Sequence, residues 1–213
     1  MARVGGRRAI AYIDGFNLYN GLMSRDLGHF RWLDYGALMS AFVQDGEVLA
    51  QTKVFTSLMT HEPERLARQK LYLRAVEKRG GVEIIAGEFV RKATDCSACG
   101  QTYKRPQEKK SDVSLACHLV ADAFDHKLDV VFIVSADSDL TPAVELVKQR
   151  FGVNIRLLEV PGRHSKQLVR LADTHLHVTA RMLSAAQLPD PVEYAGGGKK
   201  IRRIYRPAPW ADK

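Results

Sequence analysis

The sequence has few cysteines and no long hydrophobic run, and both absences limit the class of protein. Its three cysteines are an odd number, and the Cys96-Ser97-Ala98-Cys99 pattern is not typical of a disulfide framework. No apolar run approaches the roughly 18 residues of a membrane-spanning helix, and the basic residues 1–10 have no signal-peptide apolar stretch. We therefore expect a cytoplasmic protein with no membrane segment.

Hydrophobic residues are plentiful, at 46% of the chain, which excludes a disordered protein. A chain of 213 residues with this composition can bury a full core within one domain. We predict that domain over residues 1–183, followed by a basic tail at 184–213 with a Gly-Gly-Gly run at 196–198. The tail is expected either to be disordered or to dock on a surface. The sequence does not distinguish a monomer from a homodimer.

The net charge of +8 is concentrated in two segments. Residues 91–110 contain six basic and two acidic side chains, and residues 195–213 contain six basic and one acidic. Mobile lysines and arginines neutralise phosphates and release counterions, so this placement favours a polyanion such as RNA as partner. The alternative is that these charges serve only solubility.

Short apolar runs alternate with segments of helical periodicity. The apolar runs lie at residues 8–14, 48–58, 81–89, 129–136, 153–160 and 174–180. Between them, apolar residues recur at the three- and four-residue spacing of amphipathic helices. Strands that are almost continuously Val, Ile and Leu indicate a parallel sheet covered on both faces. We predict an α/β fold.

Acidic side chains stand where two of these strands end. Asp14 closes the first strand, and Ser135, Asp137 and Asp139 follow the fourth. In open parallel sheets, functional groups gather at the carboxyl ends of the strands, where the crossover connections diverge. Each Asp alone would be explained as a helix cap, but three acids at two strand ends favour a functional site.

A fourth carboxylate, Asp112, is predicted in the first turn of the helix that precedes the fourth strand. Ordinary pairing with the helix dipole would explain it, yet the helix leads towards the edge that carries the other acids. Four ionised carboxylates cannot crowd together unless a positive charge sits among them. Mg²⁺ or Mn²⁺, which take oxygen ligands and keep waters, would satisfy this requirement.

Three motifs carry a family resemblance: YIDGFNLY, EKKSDVSLACHLVADA and VFIVSADSDLTPAVELVK. In this order and spacing they resemble the NYN-domain branch of the PIN-like ribonucleases, in particular its bacterial single-domain, LabA-like members, over residues 8–180. The resemblance implies a Rossmann-like three-layer α/β/α sandwich with a mainly parallel central sheet, and metal-dependent hydrolysis of RNA. The residues that match the family's site are Asp14, Asn17, Asp112, Ser135, Asp137 and Asp139.

The resemblance also suggests roles for these residues. Asp14 and Asp137 would hold the metal, while Asp112 and Asp139 would orient waters or complete a second metal site. Asn17 would contact the phosphate or a metal-bound water. The family's closing segment is matched by residues 165–177, where Asp173 is catalytic or, alternatively, a structural cap or salt bridge.

The basic segment is expected to contact RNA, and Ser135 is expected to contact it as well. The basic side chains concerned are Lys104, Arg105, Lys109 and Lys110. Cys96 and Cys99 have zinc-ligand spacing, but no second pair follows them. The two cysteines either bind Zn²⁺ with ligands from a distant histidine or a second subunit, or form the tip of a tight hairpin.

We therefore predict a metal-dependent ribonuclease, most simply an endonuclease. One alternative is a non-catalytic RNA- or protein-binding regulatory module on the same fold. Another is a phosphatase or receiver-type domain, which also has strand-end Asp residues. A phosphatase nucleophile motif would require a second Asp two residues after Asp14, and that position is Phe16.

Overall fold

The computed structural model of the protein describes residues 6–60, 62–95, 98–196 and 200–210, and the side chains of residues 88–92, 94 and 103–109 are outside this description. Within these ranges, none of the helices combines the length and hydrophobicity that a membrane span requires.

A seven-stranded sheet forms the centre of the molecule. Its strands are β1 (Arg7–Asp14), β2 (Glu47–Ser57), β3 (Val82–Asp95), β4 (Thr102–Lys109), β5 (Val130–Val134), β6 (Asn154–Glu159) and β7 (Thr174–His177). Their order across the sheet is β4-β3-β2-β1-β5-β6-β7. Neighbouring strands are parallel except for the antiparallel pair β3 and β4. The prediction of a mainly parallel sheet is confirmed.

Helices connect the strands and cover the sheet. They are α1 (Gly15–Ser24), α2 (Tyr35–Ser40), α3 (Pro63–Arg79), α4 (Ser111–Phe124), α5 (Thr141–Phe151), α6 (Lys166–Leu171) and α7 (Ala180–Ala185). Single 3₁₀ turns lie at Gly28–Phe30, Ser138–Leu140 and Ala208–Trp210.

Side chains alternate between the two faces of the sheet and build two cores. On β1, Ala11 and Ile13 pack with residues of α1, α2, α3 and α7. Ile10 and Tyr12 point to the opposite face and pack with residues of α4, α5 and α6. The strand β5 and residues 9–14 of β1 are buried on both sides, which explains why their sequences are mostly apolar. The three-layer α/β/α prediction is confirmed.

The chain changes direction across the sheet at β1. From β1 it proceeds outward through β2, β3 and β4, and it then returns to place β5, β6 and β7 on the other side. Crossovers therefore diverge between the carboxyl ends of β1 and β5, which is the position where open α/β sheets leave a crevice. Asp14 lies at this point, because Ile13 pairs with Val134 at the end of β5.

The basic segment extends the sheet as a hairpin. Beyond Gly87, β3 leaves β2 and pairs with β4, from Glu88 opposite Lys109 to Asp95 opposite Thr102. Cys99 is an exposed free cysteine near the turn, and Cys96 lies outside the described residues. The backbone is that of a hairpin, which is one of the two structures expected for this segment.

The C-terminal segment packs against the rest of the chain. It forms an antiparallel hairpin of β8 (Val192–Gly196) and β9 (Lys200–Ile204). Val192 and Ile204 are buried in the core that also contains α3, and Trp210 packs against that core. Ile201 and Tyr205 remain exposed. Residues of 184–196 and 200–210 therefore contribute to the same core as the predicted 1–183 domain.

Candidate functional site

Asp14 joins β1 directly to α1. Its backbone is extended (φ −75°, ψ 97°), and its Oδ1 accepts a hydrogen bond from the Asn17 amide at 2.8 Å, so it is the N-cap of the helix. A Cβ at Gly15 would lie 3.1 Å from the Phe55 carbonyl oxygen, and glycine therefore lets α1 start close against β2. This compact turn holds the Asp14 carboxylate, which is 5% exposed, at the edge of the sheet.

Ser135 links the ends of the two strands. Its hydroxyl donates to Asp14 Oδ2 at 3.1 Å and accepts from the Asp137 amide at 3.1 Å and from Asn17 Nδ2 at 3.5 Å. The residue is 2% exposed, and these three contacts occupy its hydroxyl. Any contribution of Ser135 to RNA binding would thus act through the position of Asp14 rather than by direct contact.

Asn17 presents an unpaired oxygen beside this link. The residue is 8% exposed, and its buried Oδ1 has no hydrogen-bond partner among the residues that the structure describes. Buried side-chain oxygens of this kind almost always have a partner in folded proteins. This oxygen next to the Asp14 carboxylate therefore indicates a site for a cation, which it could coordinate, or for an ordered water, which could donate a hydrogen bond to it.

Asp137 and Asp139 occupy the turn that follows β5. Asp137 Oδ1 accepts from the Asp139 amide at 3.0 Å and caps the 3₁₀ turn Ser138–Leu140, while its other carboxylate oxygen has no hydrogen bond among the described residues. Asp137 is half-buried and Asp139 is exposed. Capping and a role in a site are thus compatible for Asp137.

Asp112 lies in the first turn of α4 and is exposed. The preceding Ser111 is buried, with its Oγ 3.1 Å from Ser57 Oγ at the end of β2. Since β2 is the neighbour of β1, this contact anchors the start of α4 at the edge of the sheet that carries Asp14. Lys110 ends the hairpin in a left-handed conformation (φ 80°), which is uncommon outside glycine, and it is exposed at this edge.

The four predicted carboxylates share an edge without forming a compact cluster. In the described part of the chain, no group of three or more His, Cys, Asp or Glu side chains is arranged to hold a metal. Instead, hydrogen bonds bring together Asp14, Asn17, Ser135 and the Asp137 backbone. Asp112 and Asp139 lie exposed on separate turns, and their convergence with the other two carboxylates stays a prediction.

The predicted RNA-binding side chains are only partly described. The strand β4 contains Lys104, Arg105 and Lys109, whose side chains lie outside the description. Its last residues lead directly into Lys110 and the start of α4. The backbone thus directs this basic strand towards the edge that carries Asp14.

An aromatic cavity beside Asp14 was not predicted from the sequence. It has a volume of about 300 Å³ and is lined by Gly15, Tyr19, Tyr72, Trp210 and Arg31, among other residues. Its walls come from α1, α3, the end of β2 and the C-terminal 3₁₀ turn. No short sequence pattern reveals such a set, because its residues come from elements far apart in the sequence.

Asp173 lies at the opposite end of the strands from Asp14, where β6 and β7 begin. Its Oδ2 accepts from the Ile155 amide near the start of β6, and its Oδ1 pairs with Lys148 Nζ at 2.6 Å. Burial raises the pKa of Asp173, but the Lys148 ammonium and the Ile155 amide together hold that pKa below its usual value. These contacts match the structural alternative considered for this residue.

Replacing Asp173 with asparagine should lower the free energy of unfolding at pH 7 by about 1 kcal/mol, because the ion pair with Lys148 is lost. A depressed folded-state pKa stabilises the protein fully above the unfolded-state pKa of about 3.9, and this stabilisation disappears as the pH falls through the folded-state pKa. Urea denaturation at pH 7 and pH 3 measures the difference, which should shrink at pH 3. A difference independent of pH would contradict the ion-pair explanation.

Comparison with known proteins gives two informative matches. The 6-hydroxy-3-succinoylpyridine 3-monooxygenase HspA of Pseudomonas putida is 26% identical over 223 residues, covering 85% of this chain and 70% of that protein. A crystal structure of a protein of unknown function from Vibrio parahaemolyticus has a TM-score of 0.58 and 21% identity, covering 84% of this chain and 97% of the other. At this identity, the second match shows the shared fold alone.

The family model of the NYN domain matches residues 8–180. These residues run from β1 to the start of α7 and contain all of the seven-stranded sheet except Arg7. They also include Asp14 and the turn that follows β5. The chain therefore belongs to the NYN domain family.

Proposed function

We propose that this protein is a metal-dependent ribonuclease that cleaves RNA internally at the edge formed by β1 and β5. NYN domains are nuclease-like in general, which supports a phosphodiester hydrolase at the coarse level. The observation that carries the finer proposal is the link from Asp14 through Ser135 to Asp137 at the point where the crossovers diverge.

The residues present fit a hard divalent cation such as Mg²⁺ or Mn²⁺. The available ligand atoms are oxygens of Asp14 and Asp137, and the unpaired Oδ1 of Asn17 lies beside them. When bound, such a cation would acidify a water and neutralise charge on the scissile phosphate. Two ligand side chains with waters are typical of Mg²⁺, so a preformed cage of four carboxylates is not required.

The side chains around this pair would position the substrate. Asp139 and Asp112, both exposed at the same edge, would accept hydrogen bonds from waters around the phosphate. Lys110 would hold the RNA backbone by its charge, together with the β4 residues Lys104, Arg105 and Lys109. Ser135 would keep the Asp14 carboxylate oriented.

Defined RNA and DNA oligonucleotides, incubated with Mn²⁺, Mg²⁺ or EDTA, test this proposal. We expect cleavage of RNA with either metal, loss of cleavage in EDTA and recovery on adding Mn²⁺. Products should carry 5′-phosphate and 3′-hydroxyl ends, because water would attack the phosphorus while the bond between the phosphorus and the 3′ oxygen breaks. Cleavage that is equally fast in EDTA would reject a metal-dependent mechanism.

A non-catalytic RNA- or protein-binding module is an alternative use of the same fold. It predicts RNA binding with no products under any metal condition. Another candidate comes from the Pseudomonas putida relative, whose name describes oxygenation of an aromatic acid. The observation that favours an aromatic small molecule here is the cavity beside Asp14, with Arg31, Arg65 and Arg68 among its lining residues.

A further inference from the structure

The aromatic cavity opens next to the proposed cleavage site. Gly15, which follows Asp14 directly, and Ser57, at the end of β2, both belong to its lining. A volume of about 300 Å³ lies at the lower end of the range for small-molecule sites. A ligand group held there would therefore lie close to a phosphate bound at Asp14.

One wall of the cavity is fixed by a long-range contact. The Trp210 ring packs edge-on against Tyr72 at a centroid distance of 5.6 Å and against Trp32 at 6.4 Å. Arg31 donates to the Pro209 carbonyl at 2.8 Å, and its guanidinium lies 5.2 Å from the centre of the Trp210 ring. The aromatic wall is thus held in place by contacts within the chain.

Two polar atoms of the lining residues have no hydrogen-bond partner within the described part of the chain. Arg31 Nε is buried and makes no hydrogen bond, and no carboxylate in the described residues forms an ion pair with Arg31. A buried guanidinium donor without an acceptor is rare. The half-buried Tyr19 likewise makes no side-chain hydrogen bond among the described residues.

The charges around the cavity favour an anion. Arg65 pairs with Glu62 at 2.9 Å, and Arg68 is 3.5 Å from Glu64. These pairs balance two of the three arginines that line the cavity, and the charge of Arg31 remains. A planar aromatic group attached to a phosphate satisfies both the aromatic walls and this excess positive charge.

We propose that the cavity binds one nucleobase of the RNA substrate, in the nucleotide adjacent to the phosphate at Asp14. This inference rests on the proposed ribonuclease function. The base lies against the aromatic side chains, in the manner of single-stranded RNA sites in which bases stack on aromatic rings. The Arg31 guanidinium supplies positive charge beside the base or its phosphate. The subsite gives the enzyme a preference for an unpaired base at this position.

Binding of nucleoside 5′-monophosphates and of a short single-stranded RNA to the full-length Asp137→Asn protein tests the proposal without cleavage. We expect Arg31→Met and Tyr19→Ala, each made in that background, to weaken binding by roughly tenfold or more, as loss of one base contact does. Arg150→Met is the matched control: it removes the same charge from an exposed position at the end of α5 and should leave affinity unchanged. Unchanged affinity in both cavity variants would overturn the proposal.

Tryptophan fluorescence gives a second readout. The chain has two tryptophans, and only Trp210 lines the cavity. Nucleotide binding should quench the fluorescence, and Trp210→Phe should remove most of the quenching. Quenching by an aromatic acid such as 3-succinoylpyridine, with none by nucleotides, would overturn the nucleotide assignment and favour a small-molecule site.

Failure of this inference and failure of the ribonuclease function give different results. If RNA is not cleaved but nucleotides bind and depend on Arg31, only the proposed function fails. If RNA is cleaved and Arg31→Met changes neither nucleotide affinity nor the choice of cleavage position, only the base-binding subsite fails. Arg31→Met could also release the C-terminal turn, since Arg31 donates to the Pro209 carbonyl. In that case Tyr19→Ala, which leaves this contact in place, still tests the subsite.

Discussion

Replacing Asp137 with asparagine is expected to reduce metal-dependent RNA cleavage by roughly 100-fold or more, because a neutral amide is a poor ligand for a divalent cation. The fold should be retained. Asparagine is a good cap, and its Oδ1 would still accept the hydrogen bond from the Asp139 amide. Asp14→Asn should behave in the same way, since its Oδ1 would still accept from the Asn17 amide. Initial cleavage rates across a Mn²⁺ titration measure the effect.

The chain offers a matched control in Asp34. This residue caps α2 with nearly the same backbone conformation as Asp14 (φ −85°, ψ 102°) and is similarly buried, at 6% exposure. Its carboxylate pairs with Arg79, the last residue of α3. This end of α3 leads into the start of β3 and is away from the proposed site. Asp34→Asn should therefore leave cleavage intact. Full activity in both Asp14→Asn and Asp137→Asn would reject the assignment of the site.

The central sheet was readable from the sequence because its strands are buried on both faces. Runs such as residues 129–136 contain almost no polar side chain, and that pattern is typical of parallel strands. The β3–β4 hairpin was only an alternative, since half of the residues that pair in it are charged. The C-terminal hairpin was hidden for a related reason: of the five residues in β9, only Ile204 is buried.

The sequence predicted those parts of the site in which the position of a residue is fixed by its neighbours in the chain. Asp14 and Asp137 stand at strand ends and cap the following turns, so their position follows from short-range sequence. The arrangement of Asp112 and Asp139 could not be read from the sequence, because it depends on how exposed turns lie relative to one another. The cavity could not be predicted from the sequence either, since its wall depends on a contact between Arg31 and Pro209, which are 178 residues apart.

Replacing Arg156 with methionine is expected to lower the free energy of unfolding by about 3–5 kcal/mol, because it removes the main, bidentate partner of a buried carboxylate. Arg156 on β6 donates to both carboxylate oxygens of Glu47, at 2.6 and 2.8 Å, and the two side chains are 4% and 2% exposed. Its remaining donors reach Gln44 and Asn154. Urea denaturation followed by circular dichroism measures the loss.

The pH dependence and a double variant identify the cause of that loss. Burial alone would raise the pKa of Glu47, but Arg156, the Gln44 amide and the charge of Arg7 hold that pKa below its usual value. In Arg156→Met the loss should shrink as the pH falls, because protonation of Glu47 removes the uncompensated charge. Adding Glu47→Leu should recover much of the stability at pH 7, since a buried ion pair is often replaceable by apolar residues. If the losses from Arg156→Met and Glu47→Leu simply add, the two side chains are not coupled and the explanation fails.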